Sequence, residues 1–200
     1  MSCPFTTRAL FPFPPISLLR MVVLGIDPGS RVTGFGIVET GGDDRLVAFG
    51  TVRLDTTESH PDRLKQIYDE LKTLIDAHEP NVLAIEMPVY GKNPQSMLKL
   101  GRAQAAAMLA GLNCDLSIAQ YTPKEIKKSV TGNGNASKTQ VQYMVRTILN
   151  IAEDAQGFTY DAADALATAL CHSNRGAHGD TQSYTGWESF VAANPDRVSD

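Results

Sequence analysis

The chain has 200 residues, 42% of them hydrophobic and 20% charged, which suits one domain with a real core and excludes both an intrinsically disordered chain and a large multidomain machine. No apolar run approaches the roughly 18 residues needed to cross a bilayer, so a soluble protein is expected. The net charge of −4 alone argues against a polyanionic partner, but the charge is unevenly spread. Residues 87–150 hold eight basic and two acidic side chains, while the segments on either side are acidic, an asymmetry that can bring a polyanion up to a group of carboxylates.

Residues 1–20 carry Arg8 but are broken by Pro4, Pro12, Pro14 and Pro15, which prevents the continuous apolar stretch of a signal peptide. Strand-like sequence begins at once after Met21, so 1–20 reads as an extension or a mispredicted start. VVLGID, VTGFGIVE and RLVAFGTVRL are separated by Gly, Pro, Ser and Asp clusters and predict a three-stranded antiparallel meander. Leu64, Ile67, Leu71, Leu74 and Ile75 follow at helical spacing behind Pro61 and Asp62, predicting a helix over 61–78.

NVLAIE, bounded by Pro80 and Pro88, reads as a buried strand ending on a carboxylate. Residues 94–112 predict a helix whose small positions, Gly101, Ala105, Ala106 and Ala110, permit close packing. LSIAQY at 116–121 predicts a further strand. A helix near 123–129, a loop GNGNAS at 132–137 and helices at 138–150 and 160–172 complete the body. The order βββαβαβααα implies an α/β fold, a mixed sheet flanked by helices. The body spans 21–173, and 174–200 reads as a polar tail that Trp187 and Phe190 could pin back.

Cys3, Cys114 and Cys171 are far apart and odd in number, so they give neither a disulfide framework nor a zinc site and suit a reducing, cytoplasmic compartment. His60, His78, His172 and His178 are scattered and read as surface or packing residues.

Asp27 ends a very apolar strand before Pro28-Gly29-Ser30, a rigid and open position for a metal ligand or general base; a plain turn residue is the alternative. Glu86 ends the other buried strand, and strand ends are where open α/β sheets place their sites. If the two strands are adjacent and parallel, the two carboxylates lie side by side. Asp161 and Asp164 share one face of an Ala-rich helix by their i, i+3 spacing. A helix-dipole role explains Asp161 better than Asp164, which lies one turn in among alanines.

Four carboxylates on three elements suit magnesium, which prefers oxygen ligands, and two ions about 4 Å apart would activate water and steady the leaving oxygen of a phosphodiester. Lys124, Lys127 and Lys128 cluster before the glycine loop, and Lys138 opens the next helix behind the candidate cap Ser137. A lysine there opposes the macrodipole, so an anion is the better reason for it. A solvated charged face is the alternative for Lys124 and Lys128.

In order along the chain, GIDPGSRVTGFG (25–36), AIE (84–86), GKNPQSMLKLGRAQ (91–104), KEIKKSVTGNGNASKTQVQYMV (124–145) and DAADALATAL (161–170) make residues 21–173 resemble the RuvC family of Holliday-junction resolvases. The resemblance implies a ribonuclease H-like fold and a homodimer. It also implies a magnesium- or manganese-dependent endonuclease that makes paired symmetric nicks in a four-way DNA junction, leaving 5′-phosphate and 3′-hydroxyl ends.

By the same resemblance the catalytic and metal-binding acids are Asp27, Glu86, Asp161 and Asp164, and the phosphate-contacting lysines are Lys127 and Lys138. Lys124, Lys128, Lys92 and Asn93 are further candidates for DNA contact. The 94–112 helix would form the dimer, although packing on its own sheet is the plainer role for that face. RuvA and RuvB, the branch-migration motor, are the implied partners. Relatives often carry a stacking phenylalanine three residues after the glutamate; here that position is Val89, and Tyr90 is next to it and offers the π-face that stacking needs. Competing readings are a ribonuclease H-like nuclease acting on an RNA–DNA hybrid and a junction-binding protein without activity. A two-lobed kinase or ATPase sharing the GIDPGS turn is disfavoured by the short chain.

Overall fold

A computed structural model describes residues 20–88 and 93–177 of the chain. Three strands come first, β1 (Met21–Asp27), β2 (Val32–Thr40) and β3 (Arg45–Arg53). They are followed by α1 (His60–His78), β4 (Val82–Glu86), α2 (Pro94–Leu112), β5 (Ser117–Tyr121), α3 (Pro123–Thr131), α4 (Lys138–Ile148) and α5 (Tyr160–Ala177). The order is the one the sequence predicts.

The five strands form one sheet in the order β3-β2-β1-β4-β5. The meander pairs antiparallel, whereas β4 runs parallel to both β1 and β5. Such parallel neighbours need long crossovers, and α1 and α2 supply them.

Because strand side chains alternate between faces, the sheet feeds two cores. Val23, Val82 and Ala84 pack with residues of α3, α4 and α5. Leu24, Ile26, Leu83 and Ile85 pack with α1 and α2 on the other side. The faces of α1 fit this arrangement, since Ile67, Leu71 and Ile75 recur every four residues and are buried, and Ser59 caps the helix by accepting from the Asp62 amide.

Helix α5 lies directly on β1 and β2, and glycine makes this possible. A Cβ at Gly25 would lie 2.1 Å from the Ala165 carbonyl oxygen, and one at Gly34 would lie 2.0 Å from that of Asp161. With nothing but hydrogen at those positions the helix backbone rests on the strands, and its residues from Ala162 to Cys171, Asp164 excepted, are buried.

Two details differ from the sequence reading. Helix α5 continues to Ala177 instead of ending at 172, because its polar last turns find tertiary partners: Ser173 donates to Asp44, Asn174 to Ser129, and Arg175 pairs with Glu125. Of the small α2 positions expected to pack closely, only two do so within the chain. Ala106 and Ala110 are buried, whereas Ala105 is exposed and Gly101 faces open space. Among the described residues no helix is long and apolar enough to cross a membrane. Val89, Tyr90 and Lys92 lie outside the described residues, as do the first nineteen residues and Trp187 and Phe190 in the expected tail.

Candidate active site

Period-two alternation places Asp27 on the same sheet face as Val23 and Gly25, and Glu86 on the same face as Val82 and Ala84. That is the face covered by α5. The β1–β4 register pairs Ile26 with Ile85, so the two acids stand one residue further along neighbouring parallel strands, at the same edge of the sheet. Across the other ladder Asp27 pairs with Gly34, and the Asp161 backbone lies over that glycine. Asp164 follows one helical turn later. The side-by-side arrangement of Asp27 and Glu86, conditional on strand order in the sequence, is therefore met.

The acids act on one another. Burial, followed by the charge of Asp164, pushes the Asp27 carboxyl up to about 7, with Asp161 adding to the rise and Lys138 opposing it. Burial and then the charges of Asp27 and Asp164 push Glu86 up to about 8, against Lys138 and Lys127. This is the expected behaviour of like charges drawn together in a poorly solvated place. Lys138 donates to Asp164 Oδ2 at 2.8 Å, and that bond holds its ammonium above the ordinary lysine range. Among the described residues no three His, Cys, Asp or Glu side chains are arranged to hold an ion; the positive charge beside Asp164 is the lysine.

The lysines divide by helix face. Lys127 is half-buried on α3 and acts on Glu86, whereas Lys124 and Lys128 are exposed, the solvated alternative. Helix α4 begins at the predicted cap: Ser137 accepts from the Gln140 amide while the Gln140 side chain accepts from the Ser137 amide, a capping box that aims Lys138 at Asp164. Asn93 caps α2, its side-chain oxygen accepting from the amides of Gln95 and Ser96.

Sequence reasoning missed the residues that fix the turn after Asp27. Thr33 is fully buried, and its hydroxyl donates to the Gly29 carbonyl at 3.2 Å. Arg63, from α1, donates to the Ser30 carbonyl at 3.1 Å. A hydroxyl inside an apolar strand was the available signal for Thr33, because a buried polar group needs a partner; nothing local marks Arg63. On the Glu86 side, the Met87 amide donates to the Tyr121 carbonyl at 2.8 Å, and the Tyr121 hydroxyl meets His172 Nδ1 at 2.6 Å, steadying the exit from β4.

The mixed sheet with its antiparallel and parallel halves, flanked by helices, is the ribonuclease H-like fold. The family profile described as "Crossover junction endodeoxyribonuclease RuvC" matches residues 23–172. A protein of that name from Salinibacter ruber is 67% identical over 181 residues, covering 90% of this chain and all of the relative. One from Porphyromonas gingivalis is 44% identical, covering 88% and 96% of the two chains. The solved structure of Thermus thermophilus RuvC in complex with a Holliday junction substrate superposes with a TM-score of 0.73 at 30% identity, over 80% of this chain and 96% of that one. The yeast mitochondrial Holliday junction resolvase Ydc2, at 17% identity and a TM-score of 0.58, shares the fold. The chain belongs to the RuvC family.

Proposed function

We propose that the chain is a metal-dependent endonuclease that resolves four-way DNA junctions in recombination and repair. The observation that carries this reading is the gathering of Asp27, Glu86, Asp161 and Asp164, with Lys127 and Lys138, at one edge of the sheet in a chain of this family. The donor set fits magnesium, or manganese in its place, because every donor is a carboxylate oxygen. Burial and mutual repulsion raise two of the acids, and a divalent cation relieves both penalties. When bound between these four side chains, one or two such ions supply charge stabilisation at the phosphate and a more acidic water.

The chain's own groups do the positioning. Asp27 and Glu86, fixed by the sheet, and Asp161 and Asp164, fixed by α5, set where the scissile phosphate sits. Lys138, which donates to Asp164 in this structure, would be available to the phosphate were that carboxylate held by an ion, and Lys127 would contact the same strand from α3. Ladder hydrogen bonds and the Thr33 and Arg63 anchors hold the turn still, which lowers the cost of reaching a fixed reactive geometry. Lys124, Lys128, Lys92 and Asn93 extend the contact along the backbone, and Tyr90 offers the stacking surface.

Paired nicks need two sites, which a two-fold dimer provides. The outer face of α2 supports this assembly: Leu98, Leu109 and Leu112 are 61%, 52% and 52% exposed, an apolar stripe with Gly101 and Ala105 between them. Family membership implies RuvA and RuvB as partners, which co-purification tests, and a cytoplasmic site agrees with free Cys114 and Cys171. The nuclease unit is residues 21–173, carried on by the end of α5.

Junction cleavage in magnesium tests the reading. Wild type should cut a mobile four-way junction symmetrically and leave an RNA–DNA hybrid largely intact. Asp27→Asn should bind the junction and fail to cut it. Near-normal cutting by that variant would remove Asp27 from the catalytic set, and preferred cutting of the hybrid would overturn the substrate assignment.

A further inference from the structure

On the opposite face of the sheet from the carboxylates, four basic side chains meet between two packed helices. Strands β1, β3 and β4 all end at the carboxylate edge, as the ladder pairs Asp27 with Gly34 and Arg53 with Val32 and β4 runs parallel to β1. Helix α1 follows β3 and helix α2 follows β4, so both start at that edge. His60 and Arg63 lie i, i+3 in the first turn of α1, and Lys99 and Arg102 lie i, i+3 near the start of α2.

Both ring nitrogens of His60, the Nε of Arg63 and the Oε1 of Gln66 are buried with no hydrogen-bond partner among the described residues. Lys99 and Arg102 are exposed, and neither makes an ion pair there. Buried donors without acceptors are uncommon in native proteins and call for an explanation. Burial and then the charges of Arg63, Arg102 and Lys99 hold the His60 ring below the ordinary histidine range. Among the described residues no acid forms an ion pair with the four; Asp62, Asp69 and Glu70 line a neighbouring groove with Asp55 and Glu58. Gln66 offers one acceptor, and an anion would complement the remaining donors and the positive charge of Arg63, Lys99 and Arg102. Arg63 also donates to the Ser30 carbonyl, so the cluster adjoins the turn that follows Asp27.

We propose that His60, Arg63, Lys99 and Arg102 form a binding station for a DNA backbone phosphate, on the strand that continues over the Gly29-Ser30 turn from the carboxylate site. This rests on the junction-nuclease reading. The station holds the departing strand on the α1–α2 side while Lys127 and Lys138 hold it on the α5 side, so that the strand bends across the edge of the sheet.

The test uses the full-length protein and a four-way junction without divalent metal, which permits binding and prevents cutting. Each of Lys99→Ala, Arg102→Ala and His60→Leu should weaken binding about three- to tenfold, and the two cation deletions should each flatten the dependence of log affinity on log salt by about one. In an NMR titration the His60 ring of the wild type should titrate at higher pH with junction bound than without it. Variants that bind as wild type with the same salt slope, together with an unmoved His60, would overturn the station and leave the proposed function standing. A wild type that does not bind the junction would overturn both. If inorganic phosphate moved His60 as far as the junction does, and the salt slopes were unchanged, the site would belong to a small anion and the DNA assignment would fall.

Discussion

Asp27 and Glu86 carry a free-energy cost in the folded protein. A carboxyl that titrates near 4 in the unfolded chain and at about 7 when folded makes the folded state the better proton binder between those values. Stability therefore falls as pH rises through that window, and the full penalty is present above it. In metal-free protein at pH 8, Asp27→Asn should raise stability by about 1–3 kcal/mol, with the gain shrinking towards pH 5; thermal melts at the two pH values check this, and a variant no more stable than wild type at pH 8 would contradict it. Divalent ions must displace the same protons, so manganese affinity should drop as pH falls from 8 to 6. Lys138 is bound to Asp164 without metal. Lys138→Ala should lower the cutting rate by about a hundredfold or more while manganese still binds, and joint loss of both would make it a structural partner of Asp164 alone.

Helix α5 is the element on which the site depends, because it carries two acids over a sheet that carries the other two. Its seat is made by absent side chains. Gly34→Ala would drive a Cβ into the Asp161 carbonyl, forcing the helix off β2 at a cost of about 1–3 kcal/mol. Cutting should fall by more than the folded fraction explains, since the acids separate as well; circular dichroism beside the cleavage rate distinguishes these effects, and unchanged activity would mean the helix has another way to settle.

The elements themselves were legible in the sequence because turn residues bound the strands of the meander, Pro61 and Asp62 mark the start of α1, and the cap Ser137 opens α4. Strand order was not legible, as period-two patterning tells a residue's face and never its neighbour. The resemblance, and not the local pattern, separated Lys127 from Lys124 and Lys128, because the difference lies in how α3 is docked. The end of α5 was hidden for a related reason: Ser173, Asn174 and Arg175 look like tail until Asp44, Ser129 and Glu125 stand beside them.

At the scale of the molecule, the proposed function turns one sheet edge towards DNA and the outer face of α2 towards a second copy of the chain. Leu109→Glu on the outer face of α2 should leave a folded monomer, seen by light scattering, that nicks one strand at a time; a variant that stays dimeric would place the assembly elsewhere. Net charge adds little to this design, since the basic segment acts locally beside the carboxylates of the proposed site.

The claim beneath the whole account is that Asp27, Glu86, Asp161 and Asp164 share divalent ions. Manganese-soaked crystals of the full-length protein, read by anomalous scattering, should show density among these four side chains in wild type and lose it in Asp27→Asn/Asp164→Asn. Ions bound at another place, with the four carboxylates bare, would contradict it.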